Sequence, residues 1–243
     1  MLISHSKKFI FLKTYKTGSS SIESVLRKYC GVTEFDLDDR SVRGVHNNSV
    51  VSEDGIITFP RYRGSIDNGL KNGNKDYYWD HMTASELKEK IGTEIWDSYY
   101  KFCVVRNPFE KVLSLLYFFY FRSMENRCCG GYVGDNVKKE WIFELVSKNF
   151  GRRMLLGYDN FFDSEIYTMK GDVCVDRVLR YENLDTEFSE VLEYLGLIQE
   201  DLPRINSTYK DKDIRPEQFL SSDMISFIRN KYAFEIERFG YDI

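Results

Sequence analysis

The sequence predicts an α/β fold: a single three-layer domain over residues 1–243, built around a mostly parallel central sheet. Short apolar runs at 9–12 and 100–105 have the length of buried strands, a third strand is predicted at 177–181, and segments with helical apolar spacing separate the three. Strands that alternate with helices are typical of a parallel sheet with helices on both faces. Neither an internal repeat nor a linker divides the 243 residues, and 42% of them are hydrophobic, which is enough for a sizeable core.

Local start and stop signals predict where the helices lie. The helix after the first strand ends at Gly31, where glycine suits a C-cap. Thr83 and Glu86 form a capping-box pattern at the start of a second helix. Asn107 as N-cap and Pro108 at the first helical position begin a third, which extends to about residue 122. Further helices are predicted at 139–150, 187–195 and 222–238 and a further strand at 56–59, with residues 32–78 and 123–150 as variable insertions.

Charge and cysteine usage exclude several kinds of partner. The chain has 34 Lys and Arg against 38 Asp and Glu, a net charge of −4, so no basic field favours nucleic acid or an anionic membrane. Five cysteines without CxxC spacing indicate reduced thiols in a cytoplasmic protein rather than a metal site. The first residues lack the pattern of a signal peptide, and the apolar stretch 112–121 is too short to cross a bilayer. Any anionic ligand therefore needs a local site.

The loop after the first strand is a candidate anion site. Backbone N–H groups converge where a strand leads into a helix N-terminus, and a glycine there lets the backbone approach a phosphate closely. The residues concerned are Lys16, Thr17, Gly18, Ser19, Ser20 and Ser21. The pattern is not a Walker A loop, because the lysine precedes the glycine and no GK[ST] occurs in the chain. The alternative is an ordinary strand–helix turn with serine caps and a surface lysine.

A second motif, RNPFEKVLS, follows the strand at 100–105. Arg106 lies at the carboxyl end of a predicted parallel strand, where open α/β sheets bind ligands. Ser114 comes eight residues later, about two helical turns on, and can face the same phosphate. The alternative is an N-capped helix with a solvated arginine and an incidental serine.

Together the two motifs resemble the sulfotransferases that use 3′-phosphoadenosine-5′-phosphosulfate (PAPS). In that family a K-T-x-G/S-S/T-S loop holds the 5′-phosphosulfate, and a later R-N-P-x-x-[KR]-x-x-S segment holds the 3′-phosphate. Both occur here in the family's order, and the second fits at every defined position, with Lys111 as its basic residue. The segments RVLRYENL and LGL and the closing FGY also agree. The H-x-x-[AS] pattern at 81–84 is similar to the carbohydrate-type branch.

The resemblance implies a P-loop-NTPase-like fold and an activity. The donor would be PAPS, the product 3′-phosphoadenosine-5′-phosphate (PAP), and the acceptor a hydroxyl, less readily an amine, of a carbohydrate or small molecule, with no metal required. Lys16 would stabilise the leaving oxygen, the loop through Ser21 would hold the 5′-phosphate, and Arg106 with Ser114 would select the 3′-phosphate. His81 would be the general base.

Several alternatives stay open at the level of sequence. His81 could be structural, with a carboxylate such as Asp80 as the base. The protein could be a Mg²⁺-dependent nucleotide kinase of related fold, or a nucleotide-binding protein without catalysis. The sequence does not indicate an oligomeric state.

Overall fold

A computed structural model describes residues 1–31, 49–58, 78–116, 163–205 and 215–243. The predicted loop at 123–137 and the predicted helix at 139–150 lie outside these residues. The chain divides into two compact units, Met1–Val105 with Asp163–Ile205 and Arg106–Phe162 with Asn206–Ile243. That residues 1–243 form one domain stays a prediction.

A six-stranded sheet forms the centre of the first unit. Its strands are β1 (Leu2–Ser4), β2 (Phe9–Leu12), β3 (Ser49–Val51), β4 (Gly55–Thr58), β5 (Tyr100–Val105) and β8 (Arg177–Arg180), and β6 (Thr168–Met169) and β7 (Asp172–Val173) form a separate hairpin. The order across the sheet is β3-β4-β1-β2-β5-β8. Strands β2, β5 and β8 are parallel, with Phe11 opposite Phe102, whereas β1, β4 and β3 extend the sheet in antiparallel fashion. The predicted α/β class with a parallel sheet centre is confirmed.

Helices cover both faces of this sheet. The helices of the described residues are α1 (Ser19–Leu26), α2 (Ala84–Ile91), α3 (Thr93–Ser98), α4 (108–116), α5 (Ser164–Tyr167), α6 (Leu184–Tyr194), α7 (Ser222–Lys231) and α8 (Ala233–Phe239). On one face α1 and α6 bury Ile22 and Phe188 in the same cluster as Phe102. Lys101 points to the opposite face, because side chains alternate along a strand, and its Nζ lies 5.7 Å from the ring of Trp96 in α3. The first unit therefore has three layers, as predicted.

The capping box at α2 is confirmed. The Glu86 backbone N–H donates to Thr83 Oγ1 (3.3 Å), and the Thr83 N–H donates to Glu86 Oε2 (2.9 Å). Helix α2 ends before Gly92, as predicted. Helix α6 begins at Leu184, three residues before the predicted start, because a 3₁₀ turn at Tyr181–Asn183 leads directly into it.

The second unit is built from helices in its described part. Asn107 caps α4: its Oδ1 accepts from the Phe109 N–H (3.0 Å), and its Nδ2 donates to the Asp242 carbonyl (2.7 Å). The single helix predicted over 222–238 is wrong, because the chain leaves the helical conformation at Tyr232 and forms α7 and α8. The Tyr232 ring is buried in the core, and Lys111 Nζ lies 5.4 Å from its centre. The break thus coincides with a core contact to α4.

Candidate active site

Two threonines fix the shape of the loop between β2 and α1. Thr14 Oγ1 donates to the carbonyl of Val104 in β5, and Thr17 Oγ1 lies 2.8 Å from Thr14 Oγ1. Both threonines are buried, so the hydrogen bond that ties the loop to β5 lies in the protein interior. Between them the backbone turns, and Lys16 takes the left-handed conformation with φ +58°. The turn leaves the Lys16 side chain half-buried.

Gly18 is required at the start of α1. Its φ is +72°, and a Cβ at this position would lie 3.1 Å from Leu184 Cδ2 and 3.2 Å from Tyr181 Cε2. Tyr181 and Leu184, which belong to the family-like segment RVLRYENL, thus pack directly against the loop. The Ser21 N–H donates to the Gly18 carbonyl (2.9 Å), and no side chain caps the helix at Gly18. The first N–H groups of α1 therefore face the loop without a cap, as at an anion site.

The hydroxyl groups of the loop divide into two kinds. Thr17 and Ser21 are buried, and their oxygens have partners inside the protein: Thr14 in the first case and the Ile205 N–H (3.4 Å) in the second. Ser19 and Ser20 are half-buried at the first turn of α1. The side chains of Thr17 and Ser21 therefore shape the loop, and the Ser21 backbone N–H is already used by the Gly18 carbonyl.

His81 lies beside this loop with its ring orientation fixed. Its Nδ1 is 2.7 Å from the carbonyl oxygen of Lys13, so Nδ1 carries the proton and donates it. The ring of Tyr15 stacks on the imidazole with centres 3.7 Å apart. The His81 backbone is left-handed, with φ +62°. Because Nδ1–H is used by the carbonyl, the lone pair of the neutral ring lies on Nε2 and can accept a proton.

Burial lowers the pKa of His81 to about 4, because it penalises the charged imidazolium more than the nearby Asp80 carboxylate favours it. The ring is therefore neutral at pH 7 and can accept a proton, and the same burial makes it a weaker base than a free imidazole, whose pKa lies nearer 7.

The same shift predicts a loss of stability in acid. An unfolded histidine takes up a proton as the pH falls through about 6.5, whereas folded His81 stays neutral until about pH 4. The contribution of neutral His81 to the free energy of unfolding is fully present above pH 6.5 and is lost as the pH falls from 6.5 to 4. The free energy of unfolding in urea, measured at pH 7 and pH 5, should fall more in the wild type than in His81→Asn, which does not titrate there. Equal losses would contradict a buried neutral imidazole.

A network of buried charges lies directly under the loop. Lys13 Nζ donates to Glu23 Oε2 (2.6 Å) and to Asp80 Oδ2 (2.9 Å). Asp80 also accepts from the hydroxyl of Thr58 and from the nitrogen of Met1. Although burial opposes the charge of Asp80, Lys13 holds the pKa of this carboxyl well below its usual range. Asp80 is thus a buried ion-pair partner, and the alternative that it acts as the base has no support.

Asp163 is a further residue of this region that sequence reasoning missed. It is buried, and its Oδ2 accepts from the backbone N–H of Tyr15 (2.8 Å). Tyr15 is therefore held through its N–H while its ring packs on His81. The partners are 148 positions apart, so no local pattern indicates the contact.

The second motif lies in the second unit. Arg106 is buried and follows the last residue of β5, and its Nη2 is 3.2 Å from Glu110 Oε2, one turn along α4. Ser114 is buried in the same helix. The lysine of the motif, Lys111, is also buried and lies over Tyr232, so in this unit it is part of the packing.

The described residues contain neither a cluster of metal ligands nor a membrane-spanning helix. Across residues 1–31, 49–58, 78–116, 163–205 and 215–243, no three His, Cys, Asp or Glu residues come together as ligands for a metal ion. Within those ranges no helix combines the length and apolar character needed to cross a bilayer.

Comparison with known proteins identifies the family. A model of the sulfotransferase family matches residues 1–242. This chain belongs to the sulfotransferase family. An uncharacterized protein from Archaeoglobus fulgidus is 30% identical over 130 residues, which are 54% of this sulfotransferase and 95% of that protein. A sulfotransferase from Alicyclobacillus acidocaldarius of known crystal structure aligns over 97% of this chain and 96% of that one, with 10% identity and a TM-score of 0.37. With so low a TM-score, this likeness does not bear on the function of the chain. Membership of the family supports sulfuryl transfer as the class of activity.

Proposed function

We propose that this sulfotransferase moves the sulfuryl group of PAPS to a hydroxyl of a carbohydrate or small-molecule acceptor. The observation that carries the proposal is the loop from Lys16 to Ser21. Its glycine, its uncapped helix start and its lysine together suit an anionic group, and His81 lies next to it with a neutral ring.

The donor supplies an activated sulfuryl group, bound through oxygen to a 5′-phosphate. Loop N–H groups at Gly18, Ser19 and Ser20 would bind that phosphate, as the helix dipole favours negative charge at this end. During transfer the sulfur–oxygen bond to the phosphate breaks and a new bond forms to the acceptor oxygen. The acceptor proton passes to Nε2 of His81, and the charge left on the phosphate oxygen is offset by Lys16. Positioning and charge stabilisation account for most of such a reaction.

The 3′-phosphate is assigned to Arg106, with Ser114 as a second donor. A guanidinium forms strong charge-assisted hydrogen bonds to phosphate. The Glu110 carboxylate now accepts from Arg106, so a bound phosphate would share or replace this partner.

Arg106→Ala should weaken PAP binding roughly 10- to 100-fold, since a hydrogen bond to a charged group is worth about 1.5–3 kcal/mol. Binding of AMP, which lacks the 3′-phosphate, should change little. Calorimetric titration of both nucleotides measures the difference. Arg229→Ala is the matched control, because Arg229 is an exposed arginine of the same unit, paired with Asp242 at 3.3 Å. An equal loss for PAP and AMP would contradict the assignment.

Two other functions have less support than sulfuryl transfer. A nucleotide kinase would need Mg²⁺ and ATP, and the chain lacks the GK[ST] sequence of such enzymes. In a binding protein without catalysis, His81 would be a structural residue bonded to the Lys13 carbonyl. The family match favours transfer of sulfate over both.

Transfer of label separates the three functions. The protein is incubated with ³⁵S-labelled PAPS in EDTA and a panel of sugars, glycans and small hydroxyl compounds, and in parallel with γ-³²P-ATP and Mg²⁺. We expect ³⁵S-labelled product in EDTA. Phosphate transfer from ATP would favour the kinase. PAPS binding with neither transfer to an acceptor nor slow hydrolysis would favour the binding protein.

A further inference from the structure

Lys13 contacts two consecutive residues through two different groups. Its buried ammonium donates to Asp80 Oδ2 at 2.9 Å, and its backbone carbonyl accepts from Nδ1 of His81 at 2.7 Å. The two residues lie 67 and 68 positions from Lys13 in the chain. One residue at the end of β2 thus holds both the backbone before His81 and the ring of His81.

We propose that the buried Lys13–Asp80 pair is a positioning device for His81, fixing the backbone at 80–81 so that the ring meets the Lys13 carbonyl through Nδ1 and presents Nε2 to the acceptor. The inference rests on the proposed function, in which His81 takes the acceptor proton. Asp80 and Lys13 are positioning residues, because the proposal gives neither of them a contact with the substrate.

The backbone of His81 needs such a device. Its φ of +62° lies in the left-handed region, which non-glycine residues enter only when their surroundings hold them there. Asp80 supplies that hold, because its carboxylate is 1% exposed and accepts from Lys13, Thr58 and the Met1 nitrogen, which belong to three different strands or strand ends. An anchor of this kind leaves residue 81 little freedom.

The pair also bears on which ring nitrogen carries the proton. A free neutral imidazole prefers the proton on Nε2, so the Nδ1–H form must be held by an acceptor. That acceptor is the Lys13 carbonyl, and the ring reaches it only while the backbone at residues 80–81 keeps its place. Among the described residues, the ionisable groups near the ring are Asp80, Lys13 and the Met1 nitrogen, and the Tyr15 ring lies over its face.

The test compares two neutralised partners of the same lysine. Asp80→Asn removes the carboxylate next to His81, and Glu23→Gln removes the other carboxylate on Lys13, in α1 and away from the imidazole. Long-range ¹⁵N–¹H correlation spectra at pH 7 report the tautomer of each of the three histidines, with His81→Asn identifying the signal. We expect the Nδ1–H form in the wild type and in Glu23→Gln, and a shift towards Nε2–H in Asp80→Asn.

Kinetics give the second readout. Asp80→Asn should lower kcat roughly 10- to 100-fold, as loss of an orienting partner does elsewhere, with the KM for the donor little changed. Glu23→Gln should lose comparable stability in urea without that loss of kcat. If Asp80→Asn does not fold, Thr58→Val removes only the hydroxyl that donates to Asp80 and should shift the tautomer in the same direction to a smaller extent.

An unchanged Nδ1–H signal in folded Asp80→Asn, or equal losses of kcat in Asp80→Asn and Glu23→Gln, would overturn the proposal. Failure of the proposed function is recognised separately. If the wild type transfers no sulfate, the Lys13–Asp80 pair has no role in catalysis. The spectra would still show whether the pair holds the His81 ring.

Discussion

Replacing Lys16 by alanine is expected to lower kcat roughly 10²- to 10³-fold, the loss seen when one group that stabilises developing charge is removed. In the proposed reaction, Lys16 offsets the negative charge on the leaving 5′-phosphate oxygen, which grows only as the sulfuryl group departs. Because the interaction strengthens in the transition state, kcat should fall more than the affinity for PAP. Turnover with ³⁵S-labelled PAPS and titration with PAP measure the two quantities.

Lys8→Ala is the matched control for that substitution. Lys8 is an exposed lysine with φ +51°, close to the φ of +58° at Lys16, so both variants place alanine in the same backbone conformation. Equal losses in the two variants would mean that the effect comes from the backbone. Wild-type turnover in a folded Lys16→Ala protein would show that the reaction does not depend on Lys16.

His81→Asn is expected to lower kcat roughly 10²- to 10⁴-fold, the usual contribution of a general base. Asparagine is the suitable replacement because it tolerates the left-handed backbone and its Nδ2–H can still donate to the Lys13 carbonyl. What it lacks is a basic nitrogen in the place of Nε2. The wild type should keep a constant kcat from pH 6 to 8, since burial holds the pKa of His81 at about 4.

His5→Asn provides the control for loss of a histidine, because His5 Nδ1 pairs with the Tyr99 hydroxyl at 2.9 Å, outside the loop and the charge network. Normal turnover of His81→Asn over pH 6–8, with the fold intact, would require another base.

The parts of the fold that could be predicted are those whose signal is local. A four-residue apolar run gave β2, and the Thr83–Glu86 pair and Asn107 gave the starts of α2 and α4. Elements of two or three residues, such as β1 and the β6–β7 hairpin, are too short to show a period and were missed. The predicted strand at 56–59 corresponds to β4, but β1 is the strand that joins β4 to β2, so the antiparallel extension of the sheet could not be predicted.

The same distinction holds at the candidate site. The loop from Lys16 to Ser21 is contiguous, so its glycine and hydroxyls could be recognised together. The contacts that fix it are not contiguous. Lys13 reaches Asp80, and Tyr15 reaches Asp163, across 67 and 148 positions of chain. From the sequence alone, a lysine such as Lys13 is expected to be solvated. Only the fold shows that Lys13 is buried and which carboxylates accept from it.

The most direct test of the central claim is a calorimetric titration of the wild type with PAP beside AMP and ADP, in EDTA. These ligands share adenosine and a 5′-phosphate, and only PAP carries the 3′-phosphate that marks the sulfate donor. We expect PAP to bind roughly 10- to 100-fold more tightly than AMP without any metal ion, as a charge-assisted phosphate contact would provide. Equal binding of PAP and AMP in EDTA would contradict a PAPS-dependent sulfotransferase, as would ADP binding that appears only in a parallel titration with Mg²⁺.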